Sequence, residues 1–287
     1  MPPIALALVL TAAALHATWN LLVKRAAQKQ VFTWWALIVG TLCFAPFLVA
    51  GPALPVHAWP YIAASAVAEA AYYYLLTRAY TQADFSLVYP LARGAAPALL
   101  AIWAALFLGE RPSGAGLAGL ALLVGGLLVV GSGAGGGTGK GLLAALRGPG
   151  IVSALGVALC ISIYSTIDGA AVRFVPPAPY LVLVMGLTTA LVTPLVLTRY
   201  GGRAAAAEWR ANWPRIVAVG VLTLLTYLLV LRAYSIAPVN YAAAIRETSI
   251  VFAALIGWRW LGEGFGARRT AGAALIVAGI VTIAVLG

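Results

Sequence analysis

Two arginines occupy matching positions inside apolar segments that are long enough to cross a membrane. Arg93 lies within ADFSLVYPLARGAAPALLAIWAALFLGE, and Arg246 lies within APVNYAAAIRETSIVFAALIGWRWLGE. Each stands 17 residues before a glutamate, Glu110 or Glu263. An arginine at such depth costs roughly 3 kcal/mol on insertion scales, and its planar guanidinium can bind a carboxylate or phosphate through two N–H groups. The matched pair therefore predicts a buried site for an acidic substrate group.

The two arginines also have a structural interpretation. Arg93 can be neutralised by Glu69 or Glu247, or its long side chain can snorkel to the membrane surface. Glu247 directly follows Arg246 and faces about 100° away from it on a helix, which favours a structural role for this carboxylate. The sequence leaves both interpretations open.

A tyrosine and two prolines surround Arg93 in the sequence. Tyr89 and Pro97 lie four residues to either side of it and share its helix face. Pro90 and Pro97 are expected to disturb the helix and free backbone carbonyls, which is tolerated at membrane depth only beside protein or water. We therefore predict that Tyr89 binds substrate together with Arg93.

Two groups are candidates for carrying a coupling proton. Glu69 shares a predicted helix face with Tyr73, and an intramembrane carboxylate can act in a proton relay. His16 shares a face with Asn20 and adjoins Trp19, and an imidazole titrates near neutral pH. We predict that Tyr73, Trp19 and Asn20 contact substrate. Glu69 can equally neutralise an arginine, and His16 can equally be a packing residue.

Tyr227 completes the predicted set of substrate-binding residues. It lies deep in a predicted span and is a candidate for lining a cavity. Trp59 and Trp213 instead lie near predicted span ends, where tryptophan forms an interfacial belt.

The other charged residues in or beside the spans are predicted to be structural. Asp168 is expected to pair with Lys24 or Arg173 near the membrane surface. Glu110 and Glu263 end their helices at loops.

The composition indicates that membrane-spanning helices position these residues. Hydrophobic residues make up 63% and charged residues 9% of the 287 residues, with a mean hydropathy of +1.00, whereas a soluble domain has roughly 25% charged residues. The net charge of +11 resides in short loops, where it orients a membrane protein and does not indicate nucleic-acid binding. Cys43 and Cys160 lie in apolar segments without metal-type spacing, so no metal or other cofactor is expected.

The apolar segments predict an all-α polytopic membrane protein with ten transmembrane helices. A span needs roughly 20 apolar residues. On that rule the predicted helices cover 4–23, 31–50, 59–80, 85–108, 114–131, 150–171, 178–198, 214–235, 238–260 and 268–286.

The two parts of the chain resemble each other. WPYIAASAVAEAAYYYLLTRAY at 59–80 matches WPRIVAVGVLTLLTYLLVLRAY at 213–234, which indicates a duplicated unit of five helices. An odd number of helices inserts the second copy upside down, and inverted repeats are typical of secondary transporters with a site near the membrane midplane. We predict a first repeat at 1–131, a glycine-rich linker at 132–149 and a second repeat at 150–287.

The basic residues predict the orientation in the membrane. Of the 18 lysines and arginines, thirteen fall in the odd-numbered loops. The even-numbered loops hold three, which are Arg111, Arg173 and Arg232, and the spans hold Arg93 and Arg246. Because basic loops stay in the cytoplasm, we predict cytoplasmic odd-numbered loops and both termini outside.

The chain resembles the EamA branch of the drug/metabolite transporter superfamily over its whole length. The resemblance rests on the ten spans in two units and on FLGERPSGAGLAGLALLVGGLLVV with its copy WLGEGFGARRTAGAALIVAGIVTIA. It implies an inner-membrane carrier of small metabolites, often an exporter, that works by alternating access without ATP. The chain accordingly has no GxxxxGK[ST] phosphate loop.

The favoured function is secondary transport of a small anionic or zwitterionic metabolite, such as an amino acid or organic acid, by a monomer in the bilayer. The alternatives are a lipid-headgroup flippase, a carrier of cationic drugs or quaternary amines, and a non-transporting partner subunit. An enzyme is not expected, because the seven acidic residues and two histidines are scattered, whereas membrane enzymes usually cluster such groups.

Overall fold

The protein is helical throughout the part of the chain that the structure describes. This computed structural model describes residues 1–24, 26, 28–82, 85–132, 150–252, 255 and 267–286. Within these residues the regular structure consists of α-helices and one 3₁₀ turn, Val56–Ala58. An all-α fold is therefore confirmed.

The described residues include ten α-helices with defined bounds. They are α1 (Pro3–Lys24), α2 (Lys29–Phe44), α3 (Phe47–Ala50), α4 (Trp59–Gln82), α5 (Phe85–Phe107), α6 (Gly114–Ser132), α7 (Gly150–Ala171), α8 (Pro177–Tyr234), α9 (Val239–Arg246) and α10 (Ala267–Leu286). The predicted linker lies outside the described residues from position 133 onward. We call residues 1–131 the first half and residues 150–287 the second half.

Several of these helices have the length and composition of membrane spans. Four described stretches qualify fully: Pro3–Val23, Lys29–Ala50, Val152–Ala171 and Pro177–Tyr234. Three shorter apolar helices accompany them: Ala92–Phe107, Gly114–Val129 and Thr270–Leu286. The exact number of ten spans and their inverted arrangement remain predictions.

Element α8 contains two predicted spans and the connection between them. It is helical over 58 residues except at Gly201, whose φ of 77° and ψ of 158° bend the element into two limbs. A positive φ is accessible to glycine because it has no Cβ. The sequence predicts a loop between 198 and 214; the structure interrupts the helix there at Gly201 only, and the rest of the connection is helical. The alanine-rich stretch at 204–207 is a strong helix former.

Element α9 is shorter than the sequence predicts. It ends at Arg246, and the backbone then makes tight bonds from Glu247 N to Ala244 O and from Thr248 N to Ile245 O. By contrast, α5 is assigned as helix through Pro90 and Pro97. Because proline has no N–H to donate, the expected freeing of backbone carbonyls beside Arg93 stays a prediction. Irregular backbone at membrane depth occurs where protein or water satisfies its polar groups.

The two halves are packed together along closely fitted helices. α2 packs against α8, α6 packs against α10, and α4 and α5 pack against α7. One apolar cluster contains buried residues from every element except α3. Gly40 and Gly220 bring α2 and α8 so close that a Cβ on Gly40 would lie 2.6 Å from the Gly220 carbonyl oxygen. Small residues permit this approach of helices in membranes, and the charged side chains described below lie between helices fixed in this way.

Candidate functional site

Arg93 and Glu247 form a buried ion pair between the two halves. Arg93 Nη1 donates to Glu247 Oε1 at 2.9 Å, and the two side chains are 13% and 1% exposed. Arg93 Nη2 also lies 2.6 Å from His16 Nε2. A guanidinium has only donors, so Nε2 of His16 must accept this bond. The helices α1, α5 and α9 therefore meet at Arg93.

Arg246 shares the same carboxylate at longer range. Its Nη2 atom lies 3.7 Å from Glu247 Oε1, and its Nε is buried without a hydrogen-bond partner in the described structure. Tyr164 and Tyr234 lie near enough to interact with it electrostatically. Both guanidinium groups thus contact the same carboxylate oxygen, Glu247 Oε1. We call Arg93, Arg246, Glu247 and His16 the arginine cluster.

Trp19 and Asn20 lie beside the arginine cluster but have local roles in this conformation. The Trp19 ring packs edge-on against His16, with ring centres 4.6 Å apart, and its Nε1 is buried without a described partner. Asn20 Nδ2 donates to the His16 carbonyl oxygen at 2.8 Å. Trp19 therefore keeps a free donor near His16, whereas the amide nitrogen of Asn20 is bound to its own helix.

Asp168 is the centre of a second cluster and is fully buried on α7. Tyr180 donates to Asp168 Oδ1 at 2.7 Å, and Tyr227 donates to Oδ2. The prediction that Asp168 pairs with a basic residue near the membrane surface is wrong. Arg173 instead binds Glu110 at 2.9 Å. A buried carboxylate needs partners, and here two tyrosine hydroxyls supply them.

Glu69 lies on α4 near Asp168. It is 6% exposed, and its Oε2 accepts a long bond of 3.5 Å from Thr188 Oγ1. Glu69 and Asp168 are close enough to interact electrostatically. Ser65, one turn before Glu69, is fully buried and its hydroxyl lies beside Asp168.

Tyrosine rings extend this second cluster. The ring centres of Tyr72 and Tyr73 are 5.3 Å apart, those of Tyr72 and Tyr164 are 6.2 Å apart, and those of Tyr164 and Tyr227 are 6.3 Å apart. All three pairs are edge-to-face, which is a favourable aromatic geometry. We call the following residues the acid–tyrosine cluster: Asp168, Glu69, Tyr72, Tyr73, Tyr164, Tyr180 and Tyr227.

Several buried polar atoms in or beside the clusters have no described hydrogen-bond partner. Most buried polar atoms in proteins have a hydrogen-bond partner, so each exception needs a reason. Among the described residues the exceptions in or beside the clusters are Trp19 Nε1, Arg246 Nε and Glu247 Oε2. Such atoms can bind a polar ligand that enters between the helices.

The predicted site residues thus fall into two neighbouring groups. Arg93, Arg246 and His16 belong to the arginine cluster, and Glu69, Tyr73 and Tyr227 belong to the acid–tyrosine cluster. Tyr89 lies in α5, but its side chain is outside the described part of the structure.

Sequence reasoning missed Asp168 and Tyr180 as members of the site. Tyr164 and Asp168 are spaced i, i+4 in an otherwise apolar helix, and that spacing was the available signal. In the part of the chain that the structure describes, no group of three potential metal ligands occurs.

An apolar helical protein with opposite charges buried between its halves has the form of a polytopic membrane protein with a central polar site. Comparison with known families makes this specific. The model of the EamA-like transporter family matches residues 3–132 and 148–285. The chain therefore belongs to the EamA-like transporter family and is a multi-pass membrane protein.

Solved structures support the same fold. One of the 29 matching chains, described only as a crystal structure of a protein, superposes with a TM-score of 0.78 and 22% sequence identity. The alignment covers 99% of both chains. A search of curated proteins gave no significant match.

Proposed function

We propose that this protein is a secondary active transporter of a small anionic or zwitterionic metabolite, with the arginine cluster as the site for the acid group. The observation that carries the proposal is that Arg93 and Arg246 share one carboxylate, that of Glu247. A second carboxylate, brought by a substrate, would compete with Glu247 for the two guanidinium groups and reach the Nε of Arg246, which has no described partner. A guanidinium group can bind a carboxylate through two parallel N–H···O hydrogen bonds.

Substrate binding would then change how the halves are held together. The acid group of the substrate competes with Glu247 for Arg93, and that ion pair joins α5 to the end of α9. Weakening it allows the two halves to separate on one side and close on the other, which is alternating access. Glu69 and His16 are the groups proposed to carry a coupling proton, and the proposed direction is export.

The acid–tyrosine cluster favours a zwitterion and supports a second candidate. Asp168 and Glu69 can attract an ammonium group, and the faces of Tyr164 and Tyr227 can stabilise a cation by cation–π interaction. A zwitterion would use both clusters at once. A carrier of cationic drugs or quaternary amines would use the acid–tyrosine cluster alone.

A thermal-shift experiment on the detergent-purified protein tests the proposal. The compounds are amino acids, organic acids, sugar phosphates and quaternary amines. A ligand that binds only the folded state stabilises it by about 2.7 kcal/mol at a concentration of 100 Kd. We expect an acid-bearing compound to raise the melting temperature of the parent protein, and to lose most of that effect in Arg93→Ala and in Arg246→Ala.

The matched control is Arg232→Ala, because Arg232 is an exposed arginine whose described contacts stay within its own turn. This variant should keep the full ligand-induced shift. If only quaternary amines stabilise the protein, the cationic-substrate candidate replaces the proposal. If acid-bearing compounds stabilise the Arg93 and Arg246 variants as much as the parent, the arginine cluster is not the site.

A further inference from the structure

Glu110 holds the first turn of α9 with both oxygens of its carboxylate. The backbone N–H of Val239 donates to Oε1 at 2.7 Å, and that of Asn240 donates to Oε2 at 3.0 Å. Arg173 Nη2 donates to the same Oε1 at 2.9 Å. Glu110 follows α5 in the first half, so these bonds connect the two halves at one end of the molecule. We call Glu110 with Val239, Asn240 and Arg173 the Glu110 latch.

Helix α9 depends on this carboxylate because it has no cap of its own. Pro238 precedes the helix and offers no side-chain hydrogen bond. The first N–H groups of a helix lack partners within the helix and carry a partial positive charge. A carboxylate is a well-matched acceptor for them, and the bonds are charge-assisted. A residue far away in the sequence therefore does the work of an N-cap.

The first residues of α9 pack closely against the neighbouring helices. Ser113 N donates to Tyr241 Oη at 3.2 Å, and Gly116 lies so near that any Cβ there would collide with the same hydroxyl. A Cβ on Gly169 would lie 2.5 Å from Val239 Cγ2. The first turn of α9 is thus fitted against the start of α6 and the end of α7.

The latch and the arginine cluster attach the same two elements to each other. Arg93 lies in α5 and Glu110 directly beyond it, while Val239 begins α9 and Glu247 directly follows it. The eight residues of α9 span about 12 Å at a rise of about 1.5 Å per residue. Because α9 is one short rigid helix, it cannot move away from α5 at this end unless the latch breaks.

We propose that the Glu110 latch closes one end of the carrier, that it breaks and re-forms in each transport cycle, and that Glu110 is a positioning residue for Arg246 and Glu247 through α9. The Arg173 side chain is 43% exposed, and exposed ion pairs contribute little. The two hydrogen bonds from the backbone N–H groups of Val239 and Asn240 to Glu110 therefore provide most of the stability of the latch. Two such bonds can hold this end of the carrier closed and can still break during transport. In the proposed function, a substrate acid group displaces Glu247 from Arg93 and so breaks the ion pair that joins α5 to the end of α9. The latch is then the remaining described contact that determines whether this end opens.

Cysteine accessibility tests the latch without any substrate. The reporter is Ala242→Cys, a fully buried position on α9, in a chain whose Cys43 and Cys160 are replaced by alanine. The probe is a membrane-impermeant maleimide, applied to the purified protein in detergent. We expect Glu110→Ala to raise the labelling rate about tenfold or more, because charge-assisted bonds to two backbone N–H groups are lost. Arg173→Gln should raise it about threefold or less, as for an exposed ion pair.

Two comparisons separate a latch from a general structural role. Arg232→Gln removes an exposed arginine outside the latch and should leave labelling unchanged. Glu110→Gln keeps the size of the side chain and one carbonyl acceptor, so it should give a labelling rate between those of the parent and Glu110→Ala, with the melting temperature nearly unchanged. The proposal is overturned if folded Glu110→Ala labels at the parental rate. It is also overturned if labelling rises only in proportion to a loss of melting temperature in every variant.

Discussion

At the scale of single residues, the unexpected feature is a buried carboxylate with no basic residue directly bonded to it among the described contacts. Asp168 accepts hydrogen bonds from Tyr180 and Tyr227, one on each oxygen. This arrangement holds α7 against both limbs of α8. It also places a negative charge near Arg246, which interacts with Asp168 electrostatically.

Replacing Asp168 by asparagine should destabilise the protein by about 1–3 kcal/mol, because one tyrosine then meets an amide NH₂ and loses its acceptor. Asp168→Ala should cost more, since both hydroxyls lose their partner. The measurement is the melting temperature of the purified protein. Tyr74→Phe is the control, as Tyr74 is 47% exposed and should behave like the parent. A parental melting temperature for both Asp168 variants would mean that the two hydroxyls find other acceptors.

At the scale of elements, the second half has a broken helix where the first half has a continuous one. α5 runs unbroken through Arg93, whereas α9 ends at Arg246 and the chain turns at Glu247 and Thr248. The two matched arginines therefore stand in different backbone environments. This difference makes Glu247 available to Arg93 and leaves Arg246 with the longer contact.

The sequence predicted most helices well and predicted their interruptions poorly. Apolar length and composition located the helices closely, because a membrane span needs a fixed number of apolar residues. The break after Arg246 was missed because no proline or glycine marks it in the sequence. The continuity of α8 was missed because charged residues near 203–215 suggested a loop, whereas most of them are good helix formers.

The candidate site was likewise predicted only in part from the sequence. Arg93 and Arg246 could be found from their cost in an apolar segment, and the structural interpretation offered Glu69 or Glu247 as the partner of Arg93. The role of Asp168 could not be inferred, because its partners Tyr180 and Tyr227 are 12 and 59 residues away. Only the fold brings them together.

A pair of adjacent glycines on α6 tests how closely the helices must fit. A Cβ on Gly126 would lie 2.7 Å from the Gly272 carbonyl oxygen of α10, whereas nothing lies within 4 Å of one on Gly125. We expect Gly126→Leu to destabilise the protein by about 1–3 kcal/mol or to prevent folding, as overpacking does, and Gly125→Leu to be nearly neutral. The measurement is the yield of monodisperse protein and its melting temperature. Equal effects of the two substitutions would contradict the described contact between α6 and α10.

At the scale of the whole molecule, the orientation in the membrane is a prediction from the basic residues. In the sequence prediction, thirteen of the 18 lysines and arginines belong to the odd-numbered connections between spans, which are expected on the cytoplasmic side. The Glu110 latch and Arg232 lie at the opposite end, with Arg173. The latch would then close the outer side of the carrier.

Labelling of intact cells checks this orientation. In the chain with Cys43 and Cys160 replaced by alanine, Arg232→Cys should react with an impermeant maleimide, whereas Gly137→Cys in the glycine-rich linker should react only after the cells are opened. The contrast follows from the positive-inside rule. The reverse pattern would invert the orientation and place the latch on the cytoplasmic side, without changing its contacts.

The ion pair between Arg93 and Glu247 joins residues 154 positions apart, which has a consequence for biosynthesis. The ribosome delivers Arg93 to the membrane long before Glu247 is translated, so the nascent chain has to hold a guanidinium in the bilayer without that carboxylate. His16 is made earlier and lies 2.6 Å from Arg93 Nη2 in the finished protein. The first helix can therefore shelter this arginine during insertion, until the later helix arrives with its charge.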